Sequence, residues 1–180
     1  MEQIRIIDEA HMTPEIDAAI RDGLCACFPA DVATFSRTRA WHGSGPAYTV
    51  LIGEERCVVA HLGAVQRLIG VGQESLSIAG VQNVFVRPEH RGRGVVDRLL
   101  VAAMEEAKRR SIGAGLLFCL PKLEGIYARN GWRVIPWRKI WARRASGERY
   151  VLDEKNIAMF YPLRRESFPE GEIDLRGDDW

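Results

Sequence analysis

A basic, glycine-rich loop is the part of this sequence best suited to chemistry. It runs from Pro88 to Gly94 and stands between a strand-like run and an amphipathic helix. The first N–H groups of a helix have no partner inside it and lie at the positive end of its dipole, and glycines let a ligand approach the backbone closely. The loop therefore predicts a binding site for an anion such as a phosphate group.

The kind of phosphate ligand is narrowed by patterns that the sequence does not contain. There is no G-x-x-x-x-G-K-[ST] pattern, which argues against a nucleoside triphosphate P-loop. The hairpin-like runs before the loop do not suit a Rossmann domain, whose sheet is largely parallel. At this point the ligand is some other compound with a pyrophosphate.

The elements before the loop follow from hydrophobic periodicity and turn residues. Residues 3–7 read as a strand, and Thr13 and Pro14 as the N-cap and first turn of a helix. Residues 30–41 are predicted as a second short helix, and the Gly- and Pro-rich segment 42–46 as a loop. Extended runs separated by short turns then predict antiparallel hairpins over 47–52, 56–69 and 74–87.

The elements after the loop predict a strand, crossover helix, strand unit. The helix should stop near Gly113, and the apolar run at 115–120 should return as a buried strand beside the strand before the helix. A short helix over 122–130 ends at Gly131, and strands joined by a turn at Ser146-Gly147 complete the chain. One face of the crossover helix carries Val96, Leu99, Leu100, Ala103, Met104 and Ala107.

Composition limits the classes of function. The chain has 180 residues, 47% of them hydrophobic, and a formal net charge of +1, as expected for one globular domain over residues 1–180. This charge creates no field that would gather nucleic acid or an anionic membrane. The acidic N-terminal segment is unlike a signal peptide, and no run approaches the ~18 apolar residues of a membrane span, so a cytoplasmic location is predicted.

Metal binding is not expected from the cysteines. Cys25, Cys27, Cys57 and Cys119 are scattered, without a second paired cysteine motif or a nearby His-x-x-x-His. We expect four reduced thiols, most of them buried, and no metal.

Two segments together resemble the GCN5-related N-acetyltransferase family. They are the run VFVRPEHRGRGVV at 84–96 and the run IYARNGW at 126–132, separated by a helix and a strand. The resemblance implies an α/β fold with a mixed, mostly antiparallel central sheet that is flanked by helices and splays where pantetheine enters. It also implies acetyl-CoA as co-substrate and a small-molecule amine as acceptor. Homodimers are common in the family, although no apolar stripe in this sequence by itself predicts a dimer.

The same resemblance assigns residues to the cofactor. The backbone of the strand before the loop would bind the pantetheine arm, and the loop amides would bind the pyrophosphate. Tyr127 would protonate the departing thiolate of CoA. Val96 departs from the family pattern, which usually has Gly or Ala there. The implied cofactor-binding residues are Val84, Phe85, Val86, Arg91, Gly92, Arg93, Gly94, Val95 and Val96.

The general base is not identified by the sequence. Relatives often carry a carboxylate in the long strand, but Gln82 and Asn83 stand at the candidate positions here. A carboxamide cannot accept a proton in the physiological pH range. The base must lie elsewhere, or be water.

Within the family, the chain resembles the aminoglycoside 2'-N-acetyltransferases, which confer antibiotic resistance. The resemblance lies in residues 58–72, in the Tyr127 to Trp132 segment and in the ending GEIDLRGDDW. It implies an acidic tail that holds a cationic amino sugar, and Gln82 favours a less charged one such as kasugamycin. The predicted acceptor-binding residues are His42, Gln82, Asn83, Asp153, Asp178 and Trp180.

Two alternatives stay open. The segment AHLGAVQRLIGVG at 60–72 also resembles the rhizobial nodulation acyltransferase, which moves a fatty acyl chain onto a chitooligosaccharide amine. A CoA-binding sensor without turnover is the other alternative, since Gln82 is not a base. Tyr127 argues against the sensor, because a sensor has no leaving thiolate to protonate. His61, on a predicted strand, is interpreted as a structural histidine.

Overall fold

The computed structural model describes residues 3–55 and 57–180, which form one curled sheet with helices on both faces. Arg56 and residues 1 and 2, which fall within the predicted second hairpin run and the predicted single domain, lie outside the described residues. The strands are β1 (Ile4–Asp8), β2 (Tyr48–Glu54), β3 (Cys57–Val71), β4 (Glu74–Val86), β5 (Ala114–Cys119), β6 (Arg133–Val134), β7 (Ile140–Arg143), β8 (Arg149–Val151), β9 (Ile157–Pro162) and β10 (Ile173–Asp174). The α-helices are α1 (Pro14–Cys27), α2 (Val32–Phe35), α3 (Val95–Arg109) and α4 (Glu124–Ala128).

The sheet is mixed and mostly antiparallel, which confirms the predicted α/β class. Strands β1 to β4 pair antiparallel in sequence order, and β4 then pairs parallel with β5. This parallel pair is joined through α3, as the sequence predicted. Strand β9 pairs antiparallel with both β5 and β6, while β10 links β3 to β7, which forms a hairpin with β8.

Alternation along β2 explains how one sheet supports helices on both faces. Leu51 is fully buried in the cluster that α1 and α2 form on one face. Val50 and Ile52 are fully buried in the cluster that α3 forms on the opposite face. Successive side chains of a strand point to opposite faces, so the continuous apolar run of β2 contributes to both layers.

Helix α1 begins as the sequence predicted. The Oγ1 atom of Thr13 accepts a hydrogen bond from the Ile16 N–H at 3.3 Å, and Pro14 occupies the first turn. A side-chain acceptor at this position satisfies one of the free N–H groups at the helix start. None of the helices in the described part of the chain is long and apolar enough to cross a membrane.

The predicted helix over 30–41 is wrong beyond Phe35. After a 3-10 turn at Pro29–Asp31, α2 has only four residues and the chain then becomes irregular. Arg39 is the physical reason, because its buried guanidinium binds both Glu9 and Asp17. Its carbonyl also accepts a hydrogen bond from Asn83, so residue 39 is held by tertiary contacts that a continued helix would not provide.

Two other helix boundaries differ from the predicted ones. Helix α3 ends at Arg109 rather than near Gly113, because Ser111 adopts a left-handed φ of 60°. The helix predicted over 122–130 is a 3-10 turn at Pro121–Leu123 followed by the five-residue α4. Gly131 has a φ of 85°, so it stops the segment as expected.

The sheet splays at the middle of β4. Strand β4 pairs with β5 from Ile78 to Val81, and the residues of β4 after Val81 no longer pair with β5. Just after this point the β3–β4 register shifts, and Asn83 adopts a left-handed φ of 53°. An extra residue in one strand bends it and ends regular pairing. The bulge therefore opens the sheet, as the family resemblance implies.

Candidate active site

A cavity that we call the loop cavity lies where β4 leaves β5 and has a volume of about 700 Å³. Arg93 is exposed and is not among its lining residues, although it belongs to the predicted cofactor set. Every other residue of that set lines the cavity, as does Tyr127. The lining from this set comprises Val84, Phe85, Val86, Arg91, Gly92, Gly94, Val95 and Val96.

The start of α3 has the geometry of an anion-binding site. Gly92 and Gly94 have left-handed φ angles of 74° and 69°, and Gly94 is the N-cap of α3. Among the described residues no side chain caps this end, so the first N–H groups of the helix remain available for a ligand. A Cβ placed on Gly92 would meet no atom of the described residues within 4 Å, so the loop leaves open space for a bound group. This arrangement can hold a phosphate or pyrophosphate.

Arg91 connects the loop to the strand beside it. Its Nε atom donates a hydrogen bond to the Val86 carbonyl at 2.9 Å, which fixes the guanidinium next to the cavity. Cys27 lines the same cavity, and its thiol lies 3.8 Å from the same carbonyl. Arg91 therefore links the loop to β4 through this hydrogen bond.

Tyr127 lies on α4 at the boundary between the loop cavity and a second cavity. Its ring packs edge to face on Trp132, with centroids 6.3 Å apart. Burial raises the pKa of Tyr127 to about 12, and the nearby thiol of Cys119 adds to this effect. The phenol therefore keeps its proton at neutral pH and is available as a proton donor.

A carboxylate that the sequence analysis did not single out holds α4 in place. The Oδ1 atom of Asp97 accepts hydrogen bonds from Asn130 at 2.7 Å and from Arg129 at 2.9 Å. The hydrogen bond from Asn130, followed by that from Arg129, lowers the pKa of Asp97. Since Asp97 lies in the first turn of α3, it joins α3 to the short helix that carries Tyr127.

The second cavity, which we call the aromatic cavity, has a volume of about 290 Å³. Tyr127 and Val84 line both cavities, so the two are adjacent. Burial raises the pKa of the Cys119 thiol to about 11, which keeps it protonated. The walls of the aromatic cavity combine aromatic rings with carboxamides, namely Phe28, Trp41, Phe118 and Trp180 with Gln82, Asn83 and Asn156.

The carboxamides of Gln82 and Asn83 are held by the segment between residues 39 and 44. Gln82 Nε2 donates to the Ser44 carbonyl at 2.7 Å, and Asn83 Nδ2 donates to the Arg39 carbonyl at 2.6 Å. Both side chains are buried, so these hydrogen bonds fix the wall of the aromatic cavity.

The indole of Trp180 packs directly on Gly80 of the sheet. A Cβ on Gly80 of β4 would be 2.3 Å from Cε2 of the Trp180 ring. The ring contacts Phe118 with centroids 5.4 Å apart, and the Arg67 guanidinium lies 5.4 Å from its centroid. Only glycine at position 80 leaves room for this indole. The sequence predicted Trp180 at the acceptor side but not the glycine that accommodates it.

The other predicted acceptor residues lie away from the aromatic cavity. His42 and Asp178 line a third cavity of about 500 Å³, while Asp153 lines a fourth of about 180 Å³. The Tyr150 hydroxyl is 2.9 Å from Asp178 Oδ1 and 2.7 Å from Asp179 Oδ1. Burial, supported by these carboxylates, raises the pKa of Tyr150. The predicted acceptor set is therefore divided among three cavities.

The acidic tail is engaged in internal contacts. His42 Nδ1 lies 2.5 Å from Asp179 Oδ1, and Arg67 donates to the Asp178 carbonyl at 2.7 Å. Ser44 also donates to this carbonyl, at 2.9 Å. These contacts connect the tail to the loop at 42–46 and to β3. Across residues 3–55 and 57–180, no group of three or more His, Cys, Asp or Glu side chains is arranged to hold a metal ion.

Two protein relatives share a segment of the chain. An uncharacterized N-acetyltransferase from Streptomyces griseus is 29% identical over 86 residues, which are 48% of this chain and 20% of the relative. A nodulation protein A from Bradyrhizobium sp. is 31% identical over 67 residues, which are 37% of this chain and 32% of the relative. The chain thus spans only about a fifth to a third of the length of these relatives.

Structural similarity extends over nearly the whole chain. A GNAT family N-acetyltransferase (YhbS) from Escherichia coli, solved in complex with CoA, superposes with a TM-score of 0.67 at 15% identity. The match covers 98% of this chain and 91% of that chain, so the two share a fold. The acetyltransferase (GNAT) domain model matches residues 15–135, which include the loop, α3 and Tyr127. The chain therefore belongs to the GNAT acetyltransferase domain family.

Proposed function

We propose that this chain, as a single domain, transfers the acetyl group of acetyl-CoA to an amine of a small molecule. The observation that carries the proposal is the position of Tyr127, which lines both the loop cavity and the aromatic cavity. A protonated phenol at this boundary can serve a reaction between a donor in one cavity and an acceptor in the other.

The loop cavity is the proposed site of acetyl-CoA. Val84, Phe85 and Val86 would contact the pantetheine arm, and the amides from Arg91 to Val96 would hold the pyrophosphate. The exposed Arg93 would add a charge-assisted contact to a phosphate. The complex of the Escherichia coli neighbour with CoA supports this choice of ligand.

Tyr127 is the proposed general acid. The acceptor nitrogen attacks the thioester carbonyl carbon, a C–N bond forms and the C–S bond breaks. Tyr127 donates its proton to the departing thiolate and is then reprotonated by water. The proton lost by the acceptor nitrogen passes to water, since Gln82 and Asn83 at the aromatic cavity are carboxamides.

The variant Tyr127→Phe tests this role. We expect kcat to fall by about 100-fold, with little change in the KM for acetyl-CoA, because the ring remains and only the proton donor is lost. The measurement is the release of CoA thiol. Tyr161→Phe is the matched control, since Tyr161 also packs on Trp132, at 5.6 Å, but lines neither cavity. Equal turnover in the two variants would discard the role of Tyr127.

An aminoglycoside with few positive charges, such as kasugamycin, is the proposed acceptor. The resemblance to aminoglycoside 2'-N-acetyltransferases supports it, and the aromatic cavity offers rings that can pack on the C–H faces of a sugar and carboxamides that can bind its hydroxyl groups. The tail carboxylates of Asp178 and Asp179 contact Tyr150 and His42, which favours a weakly charged acceptor over a polycation. Acetylation would make such a chain a resistance enzyme.

A panel of amines tests the acceptor. It contains kasugamycin, polycationic aminoglycosides, simple polyamines and chitooligosaccharide amines, each with acetyl-CoA. Acetylation of kasugamycin above the polycations is the expected result. Turnover of polyamines alone would overturn the aminoglycoside proposal and leave acetyl transfer intact.

A nodulation-type acyltransferase is the second candidate, and the match to nodulation protein A favours it. This activity would move a fatty acyl chain from an acyl carrier protein to a chitooligosaccharide amine. Supplying that donor to the same panel separates the two candidates, because only the second would use it. If the protein binds acetyl-CoA but acylates no amine of the panel with either donor, it would instead be a sensor.

A further inference from the structure

His61 is a buried histidine of β3 that lies opposite the bulge of β4. Only 1% of the residue is exposed, and its ring stacks on Phe85 with centroids 5.5 Å apart and an interplanar angle of 23°. Its Nδ1 atom is 2.8 Å from the carbonyl oxygen of Asn83. A buried polar ring with such a specific partner is a candidate for a role beyond packing.

The partner defines the protonation state of the ring. A carbonyl oxygen can only accept, so Nδ1 carries the proton and donates it to Asn83. Burial lowers the pKa of His61 to about 4, so the ring is neutral at physiological pH. The Nε2 atom is buried and has no hydrogen-bond partner among the described residues.

The hydrogen bond acts at the point where β4 becomes irregular. His61 pairs with Phe85, and Gly63 pairs with Gln82, so Leu62 faces two residues of β4. One of them, Asn83, has a left-handed backbone, which asparagine adopts more readily than other residues except glycine. The bulge is therefore an irregular part of β4, and the hydrogen bond from His61 to the Asn83 carbonyl lies at this irregularity.

The bulge also determines where the cofactor strand runs. Pairing between β4 and β5 stops at Val81, two residues before Asn83. Beyond the bulge, Val84, Phe85 and Val86 line the loop cavity. A relaxed bulge would let β4 continue along β5 and would narrow the space between them.

We propose that His61 is a positioning residue, whose Nδ1–H holds the Asn83 carbonyl, fixes the bulge and so places Val84 to Val86 against acetyl-CoA. The stacking of the ring on Phe85 aligns the residue that pairs with His61. The inference rests on the proposed function, since it assigns acetyl-CoA to the loop cavity.

The test compares His61→Asn with His61→Gln. Both variants carry a neutral carboxamide, but only the Asn nitrogen stands one bond from Cγ, where Nδ1 stands in histidine. The Gln nitrogen lies near the former Nε2 and cannot reach the Asn83 carbonyl without displacing the backbone. We expect kcat to fall about 10- to 100-fold in His61→Gln and to recover to within about threefold of wild type in His61→Asn.

Two measurements accompany the kinetics of CoA thiol release. Calorimetric titration with acetyl-CoA should show weaker binding in His61→Gln than in His61→Asn. Amide hydrogen exchange of the peptide spanning residues 81–87 should be faster in His61→Gln and near wild type in His61→Asn. The exchange experiment requires no ligand, so it reports on the bulge even if the cavity binds something else.

The outcomes separate the two proposals. If the wild-type protein neither binds nor turns over acetyl-CoA, the proposed function fails. Faster amide exchange in His61→Gln than in His61→Asn would still show that the His61 hydrogen bond stabilises the bulge. If the wild type is active and the two variants have equal kcat and equal exchange, then His61 only fills space, and the inference is overturned.

Discussion

The fit between Gly80 and Trp180 can be tested by adding a single methyl group. In Gly80→Ala, the new Cβ would lie 2.3 Å, 2.6 Å and 2.7 Å from Cε2, Cζ2 and Nε1 of Trp180. Carbon atoms in ordinary contact are at least about 3.5 Å apart, so the indole must move by about 1 Å. It cannot do so freely, because Phe118 and Arg67 contact the ring.

The expected cost follows from this geometry. Inserting a methyl group into a well-packed position typically costs about 1–3 kcal/mol. For a chain of this length, a loss of about 2 kcal/mol lowers the melting temperature by about 4–8 °C. Trp180 lines the aromatic cavity and is not among the residues that line the loop cavity. Displacing its indole should therefore raise the KM of the acceptor, while the KM of acetyl-CoA stays near wild type.

The assay combines thermal unfolding with CoA thiol release at varied concentrations of each substrate. Gly45→Ala is the matched control, because a Cβ at Gly45 meets no atom within 4 Å in the part of the chain that the structure describes. We expect this control to change neither the melting temperature nor either KM. A melting temperature of Gly80→Ala within about 1 °C of the control would refute the reasoning, since the methyl group would then have met no ring.

Two further predictions follow from Asp97 and His61. In Asp97→Ala, α4 loses the acceptor for Asn130 and Arg129, so kcat in the thiol-release assay should fall about tenfold while stability changes by less than about 1 kcal/mol. The exposed carboxylate of Glu105 on α3 provides the control, and an equal kcat in Glu105→Ala and Asp97→Ala would contradict the positioning of α4. Burial lowers the pKa of His61 from 6.5 to about 4, so the unfolded chain binds more protons between these values. About 3 kcal/mol of stability should be present above pH 6.5 and be lost as the pH falls to about 4, and urea unfolding should show a smaller loss in His61→Asn.

Local signals allowed the sequence to predict the parts of the site that short segments build. The cap at Thr13 and the glycines of the loop determine the backbone of only a few neighbouring residues, so the local sequence is enough to predict their geometry. The crossover helix also follows from periodicity alone. These features predicted the crossover unit and an anion-binding loop, and the resemblance to the GCN5-related N-acetyltransferases added the fold class and the residues around the loop cavity.

Tertiary contacts explain what the sequence did not predict. Arg39 ends a predicted helix because its partners Glu9 and Asp17 come from other segments. The tail carboxylate of Asp178 reads as a ligand for a cation, but in the fold it contacts Tyr150. No periodicity encodes such pairings. An aspartate in the first turn of a helix that follows a basic loop is a local pattern that could have drawn attention to Asp97.

The small strand β10 has a consequence for how the protein folds. It is the hydrogen-bonded link between β3 and the β7–β8 hairpin, and it pairs with residues of β3 about 100 positions earlier in the chain. Contacts between such distant residues form late, because the loop they close costs entropy. Until they form, backbone groups of β3 and β7 are unpaired and can join another chain. Refolding yield should therefore fall as protein concentration rises, even under conditions in which the completed fold is stable.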